Sequence, residues 1–182
     1  MYELKNSRNG EKAVYKTTVD ITKQDGIITF VFTAENTQYY CPRSGYNKIH
    51  SVGDACEILI GSDPNRRWYY EIELSPANDL MLAKMEYKGK NENGRVVLGV
   101  NLVDDCFVTS TVQRTEKGYV AQINIPEKEI LTGDGEIYFN AYRLETDGGE
   151  MEKHLFALNP TLCKFFHTPD KYVYLKDFVK EK

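Results

Sequence analysis

Apolar and polar residues alternate with a period of two through most of this chain, and the apolar positions favour β-branched and aromatic side chains over helix formers. Strands are therefore expected at Ala13–Ile21, Gly26–Ala34, Asp54–Gly61, Trp68–Leu74, Leu80–Tyr87, Arg95–Val103, Cys106–Arg114, Tyr119–Ile125, Glu136–Leu144, Glu152–Leu158 and Tyr172–Phe178. Turn-forming pairs punctuate them at Asp25-Gly26, Asp63-Pro64, Asn93-Gly94, Lys117-Gly118, Asp134-Gly135 and Gly148-Gly149. Many short strands at this spacing predict an all-β fold, an antiparallel two-sheet β-sandwich of jelly-roll type. Only Pro126–Leu131 reads as a helical turn, placed to bridge the two sheets. The segment Tyr39–Gly53 lacks alternation and is too long for a hairpin turn, so it is expected to be a loop with a purpose.

Alternation also assigns faces, because neighbouring side chains on a strand point oppositely. Cys56, Ile58 and Ile60 form one apolar face and leave Glu57 on the other. Trp68, Tyr70, Ile72 and Leu74 do the same against Tyr69, Glu71 and Glu73, and Ile137, Phe139 and Ala141 against Tyr138, Asn140 and Tyr142. On this reading Trp68, the single tryptophan, packs in the core. If the three strands are sheet neighbours, Glu57, Glu71, Tyr69, Asn140 and Tyr142 share one outward surface. Flat rings beside hydrogen-bonding groups suit a sugar, whose ring face stacks while its hydroxyls need donors and acceptors.

Composition narrows the classes. The 182 residues fit one domain spanning 1–182, and 41% apolar residues suffice for a core. The 23 basic and 27 acidic residues give a net charge of -4 with no block of one sign, which argues against nucleic acid. No stretch has the roughly 18 apolar residues of a membrane-spanning helix, so no membrane partner is expected. The polar N-terminus lacks the apolar segment of a secretory signal, which fits a cytoplasmic chain, or an exported one whose leader has been removed. The oligomeric state is left open. Cys41, Cys56, Cys106 and Cys163 show no metal-ligand spacing. Four free thiols are expected, with Cys56 and Cys106 as small core residues, although a Cys41–Cys163 bridge is conceivable.

Two stretches carry a family resemblance. Gly53–Ile60 followed by Tyr69–Pro76, and Tyr138–Glu145 leading to Phe156–Thr161 and Phe166–Tyr172, are similar in sequence and order to the motifs of the family 9 carbohydrate-binding modules. The similarity runs from about Val14 to Phe178. It implies a non-catalytic β-sandwich that grips the terminus of a mono- or oligosaccharide between aromatic rings. By position, Glu57 matches a sugar-contacting glutamate, and Glu71 and Tyr142 stand where relatives place an arginine and a glutamine that touch the ligand. Phe166 stands where one clamping tryptophan is found. The second clamp position is Ser51, a departure: either its aromatic role passes to His50, Tyr46 or Tyr39 in the same loop, or the clamp is absent. No cofactor is expected. The resemblance allows a structural calcium, but the chain has no Asp-rich loop of calcium-binding spacing.

Two alternatives remain at this point. Glu57 and Glu71 would serve a glycoside hydrolase if they stood about 5 to 9.5 Å apart in a cleft. The Tyr-rich face would equally serve a protein-interaction module. His167, beside a Thr-Pro turn, reads as a residue that fixes its loop by hydrogen bonding rather than as a catalyst.

Overall fold

The structure, a computed structural model, describes residues 1–49, 52–133, 135–149 and 153–181; His50, Ser51, Asp134 and Glu152, named above, lie outside them. The described strands are β1 (Tyr2–Glu3), β2 (Lys5–Asn6), β3 (Thr17–Gln24), β4 (Ile27–Glu35), β5 (Ala55–Gly61), β6 (Trp68–Leu74) and β7 (Leu80–Lys90). They continue as β8 (Val96–Leu102), β9 (Thr109–Thr115), β10 (Gly118–Pro126), β11 (Tyr138–Glu145), β12 (His154–Ala157), β13 (Val173–Tyr174) and β14 (Lys180–Glu181). One sheet runs β1, β3, β4, β10, β9 with β14 against β3. The other runs β2, β12, β11, β5, β6, β7, β8 with β13 against β11. The pairings are antiparallel apart from that of β14 with β3. The molecule is thus the expected β-sandwich.

Local chemistry explains the connections. Asp25 and Gly26 both take positive φ between the register partners Gln24 and Ile27, the two-residue turn whose twist matches that of its strands. The helical turn α1 (Glu127–Ile130), with Pro126 at its N-cap, links β10 of one sheet to β11 of the other. The strand expected at Tyr172–Phe178 pairs only at Val173–Tyr174, because Leu175–Asp177 winds into a 3-10 turn. The strand expected at Ala13–Ile21 begins four residues later, at Thr17.

The main core lies between the sheets, where Ile21, Phe30, Phe32, Ile58, Ile72 and Phe139 are fully buried. A second cluster covers the opposite face of the β11–β5–β6–β7 sheet. Leu59, Tyr69, Met81, Tyr138 and Tyr142 lie there beneath Phe166 and Tyr172 of the C-terminal segment. β5 is consequently buried at every position, whereas β4 alternates as a half-exposed strand should.

Several polar contacts hold that segment to the sheet through its main chain. The Asn140 amide accepts from the Asn159 N–H at 3.0 Å and donates to the Asn159 carbonyl at 2.8 Å. The Tyr142 hydroxyl donates to the Phe166 carbonyl at 3.0 Å, and the Arg66 guanidinium donates to the carbonyls of Pro169 and Tyr172. The loop between β4 and β5 is pinned as firmly. Asp54 Oδ2 accepts from the Tyr40 N–H, and Gly53 has φ +90° where a Cβ would stand 2.4 Å from the Tyr40 carbonyl oxygen.

Two side chains depart from the sequence expectation. Trp68 opens β6 beyond the main core and is 38% exposed, with the Lys84 ammonium over its ring. Cys106 precedes β9 in an exposed loop rather than packing in the core, while Cys56 is buried as expected. The four cysteines are free thiols.

Between the sheets lies a buried ion pair. Arg143 on β11 donates to the Thr17 hydroxyl and the Glu35 carbonyl of the opposite sheet, each at 2.8 Å, and pairs with Glu145. Glu145 also accepts from the backbone of Thr146 and Asp147. Removing one member leaves the other charge buried. Arg143→Met alone is expected to lower the unfolding free energy by about 3–5 kcal/mol in urea denaturation, and Arg143→Met with Glu145→Leu to recover most of it. A single variant as stable as the parent would contradict this role.

Candidate functional site

β5 and β6 bring three glutamates together on the outer face of their sheet. Glu57 and Glu73 are direct register partners, and Glu71 is one pleat away on the same face. Each side chain is almost fully buried, and one carboxylate oxygen from each lies within 4.8 Å of the other two. The trio forms the floor of a hollow of about 500 Å³. Phe166 and His167 of the C-terminal segment, Leu144 and Leu155, and Arg8, Lys153, Lys164 and Phe165 complete the lining. Arg8, Lys164 and Phe165 are exposed at the rim, and Phe165 remains 47% accessible.

The electrostatics follow from this crowding. Burial, with the neighbouring carboxylates of Glu71 and Glu73, raises the pKa of Glu57 well above the usual carboxylate range. Glu57 Oε1 is buried without a hydrogen-bond partner among the described residues. His167 links two parts of the site: its Nδ1 lies 2.9 Å from the Tyr69 hydroxyl and its Nε2 3.6 Å from Glu71 Oε1. That contact with Tyr69 matches the loop-fixing part expected of the histidine.

Of the residues singled out from sequence, Glu57, Glu71 and Phe166 meet at the hollow. Tyr69, Asn140 and Tyr142 do share their face, as parity required, but they do not reach solvent. Tyr142 is fully buried, its ring stacked on Phe166 with centroids 4.1 Å apart, and its hydroxyl receives the Asn140 amide. Tyr69 is sealed between His167 and Tyr172. These three side chains therefore support the wall and do not line it. The outward, solvent-facing surface expected for them is corrected by the loop that covers it. Tyr46 packs against the main core, donates to the Val103 carbonyl at 2.6 Å and is not among the lining residues. His50 falls outside the described residues.

Several lining residues escaped the sequence reading. Glu73 shares the parity of Glu71 and was recoverable from β6 alone. Phe165 adjoins Phe166 in the run Lys164-Phe165-Phe166-His167, the signal that was present. Arg8 reaches the site because β2 pairs with β12, a contact between distant parts of the chain that no local pattern announces. A second hollow, of about 490 Å³, adjoins the first and is lined by Arg95, Val96 and Leu98 together with Phe165 and His167.

Comparison with known proteins identifies the architecture. No protein-family model matches the sequence, and no curated protein matches it either. Among solved structures, a candidate carbohydrate-binding protein from Bacteroides uniformis ATCC 8492 superposes with a TM-score of 0.66 at 13% identity, over 92% of this chain and 79% of that one. A family 9 carbohydrate-binding module from Caldicellulosiruptor kristjanssonii, in complex with glucose, gives 0.59 at 12% identity over 100% and 84%. A family 9 carbohydrate-binding module from the same organism, in complex with cellotriose, gives 0.59 at 10% identity over 100% and 82%. At these identities the likeness speaks for the fold, and the fold of this chain is that of the family 9 carbohydrate-binding modules.

Proposed function

We propose that this chain binds the terminus of a mono- or oligosaccharide, without catalysis, in the hollow floored by Glu57, Glu71 and Glu73. The observation that carries the reading is the combination in one recess of buried carboxylates, an accessible Phe165 ring and rim cations. Carboxylates accept from sugar hydroxyls, Arg8 and Lys164 donate to ring and hydroxyl oxygens, and a phenyl face stacks on the apolar side of a pyranose. The structural neighbours solved with glucose and cellotriose make those two sugars the first probes.

Phe165 lines both hollows, so it is read as the platform shared by two successive sugar units. Affinity should be modest, since an exposed sugar offers little apolar area and its hydroxyls already satisfy water.

Calorimetric titration with glucose and cellotriose, followed by a glycan array, is expected to give saturable binding that Glu71→Gln weakens. Phe165→Ala should weaken an oligosaccharide about tenfold and a monosaccharide less, as loss of one stacked ring predicts. Equal losses for both would remove Phe165 from a second subsite. Silence across the array, with one protein co-purifying, would favour an interaction module instead. Hydrolysis of a chromogenic glycoside that disappears in Glu57→Gln would establish an enzyme.

A further inference from the structure

The geometry points to a divalent, oxygen-preferring cation, calcium in the first instance, held by Glu57, Glu71 and Glu73 at the floor of the larger hollow. Three features carry it. The carboxylates come from adjacent paired strands, so their spacing is set by the sheet and not by flexible loops. One oxygen from each lies within 4.8 Å of the others, and calcium bound at about 2.3–2.6 Å places opposite ligand oxygens about 4.6–5.2 Å apart and adjacent ones closer. Glu57 is only 3% exposed, it lines the recess, and its Oε1 is buried with no hydrogen-bond partner among the described residues.

Ionised together, the three carboxylates repel one another. Glu57 and Glu73 stand directly opposite each other on paired strands, where like charges destabilise a sheet. Burial in a medium of low dielectric strengthens that repulsion. His167 contributes some relief beside Glu71. An ion bound by all three would convert mutual repulsion into shared coordination. The all-carboxylate ligand set selects a hard cation and argues against zinc, which prefers nitrogen and sulfur. Calcium accepts six to eight oxygens, so positions left by the trio would open into the hollow, to water or to hydroxyl groups of a bound ligand.

Cation binding here does not require the sugar reading, and the test uses the metal alone. The full chain is stripped with a chelator, then titrated calorimetrically with calcium chloride and manganese chloride, with melting curves recorded in parallel. Saturable binding and a rise in Tm are expected for the parent. Glu73→Gln should weaken binding by at least about tenfold. Replacing all three glutamates with Gln should abolish it while leaving the far-UV circular dichroism of the chain unchanged. Absence of saturable binding to either ion at millimolar concentration would overturn the site. Binding left unchanged in Glu73→Gln or in the triple variant would overturn it too, by placing the ion elsewhere. Loss of sugar binding in a parent that still takes up calcium would leave the metal site standing and retire the sugar reading.

Discussion

A strand covered on both faces must find an energetic answer for every polar side chain it carries, and β5 is such a strand. Its Cys56, Ile58 and Ile60 meet the opposing sheet, while Glu57 and Leu59 are turned toward the C-terminal segment. On a half-exposed strand Glu57 would sit in water at no cost. Here, with Glu71 and Glu73 beside it, it becomes a concentration of acidic groups in a dry place that still opens at one side. The segment that removes these groups from solvent also supplies Phe165, Phe166 and His167 as a wall. The burial of the carboxylates and the wall of the hollow therefore arise from one packing event.

The two sheets play different parts. The β1–β3–β4–β10–β9 sheet contributes one apolar face and lets β4 alternate to solvent, so it works as a foundation. The β2–β12–β11–β5–β6–β7–β8 sheet is buttressed between that foundation and the covering loop. The buried Arg143 and Glu145 tie the sheets to each other at one end. Dispersion contacts and aromatic pairs such as Phe30 with Phe139 fill the remainder. A rigid middle layer is what allows three carboxylates to keep a fixed mutual distance.

Parity in the sequence placed Cys56, Ile58, Ile60, Ile72, Phe139 and Ala141 in the core, and the structure agrees, because a period of two is a property of the strand itself. It also grouped Tyr69, Asn140 and Tyr142 on one face. What it could not indicate was the cover over that face, since a loop folding back from twenty or more residues away leaves no periodic mark on the strand beneath. Leu59 and Ala55, apolar on the same side as Glu57, were the trace of it. Trp68 misled for a related reason: its alternation is real, but the strand outruns the core at that end. Phe166 was found through resemblance and Phe165 was not, although only its exposed neighbour keeps a free ring.

Apart from the contact of the His167 ring with Tyr69, the hydrogen bonds named above that hold the C-terminal segment to the sheet reach its peptide groups. Asn140 addresses the main chain of Asn159, Tyr142 that of Phe166, and Arg66 that of Pro169 and Tyr172, while the Asn159 side chain addresses the Lys171 carbonyl. Peptide groups are common to all residues, so the path of the segment is largely indifferent to which side chains it displays between those points. Lys164 and Phe165 thus sit on an exchangeable cassette, and the rim of the hollow can change there one substitution at a time while the architecture beneath stays unaltered.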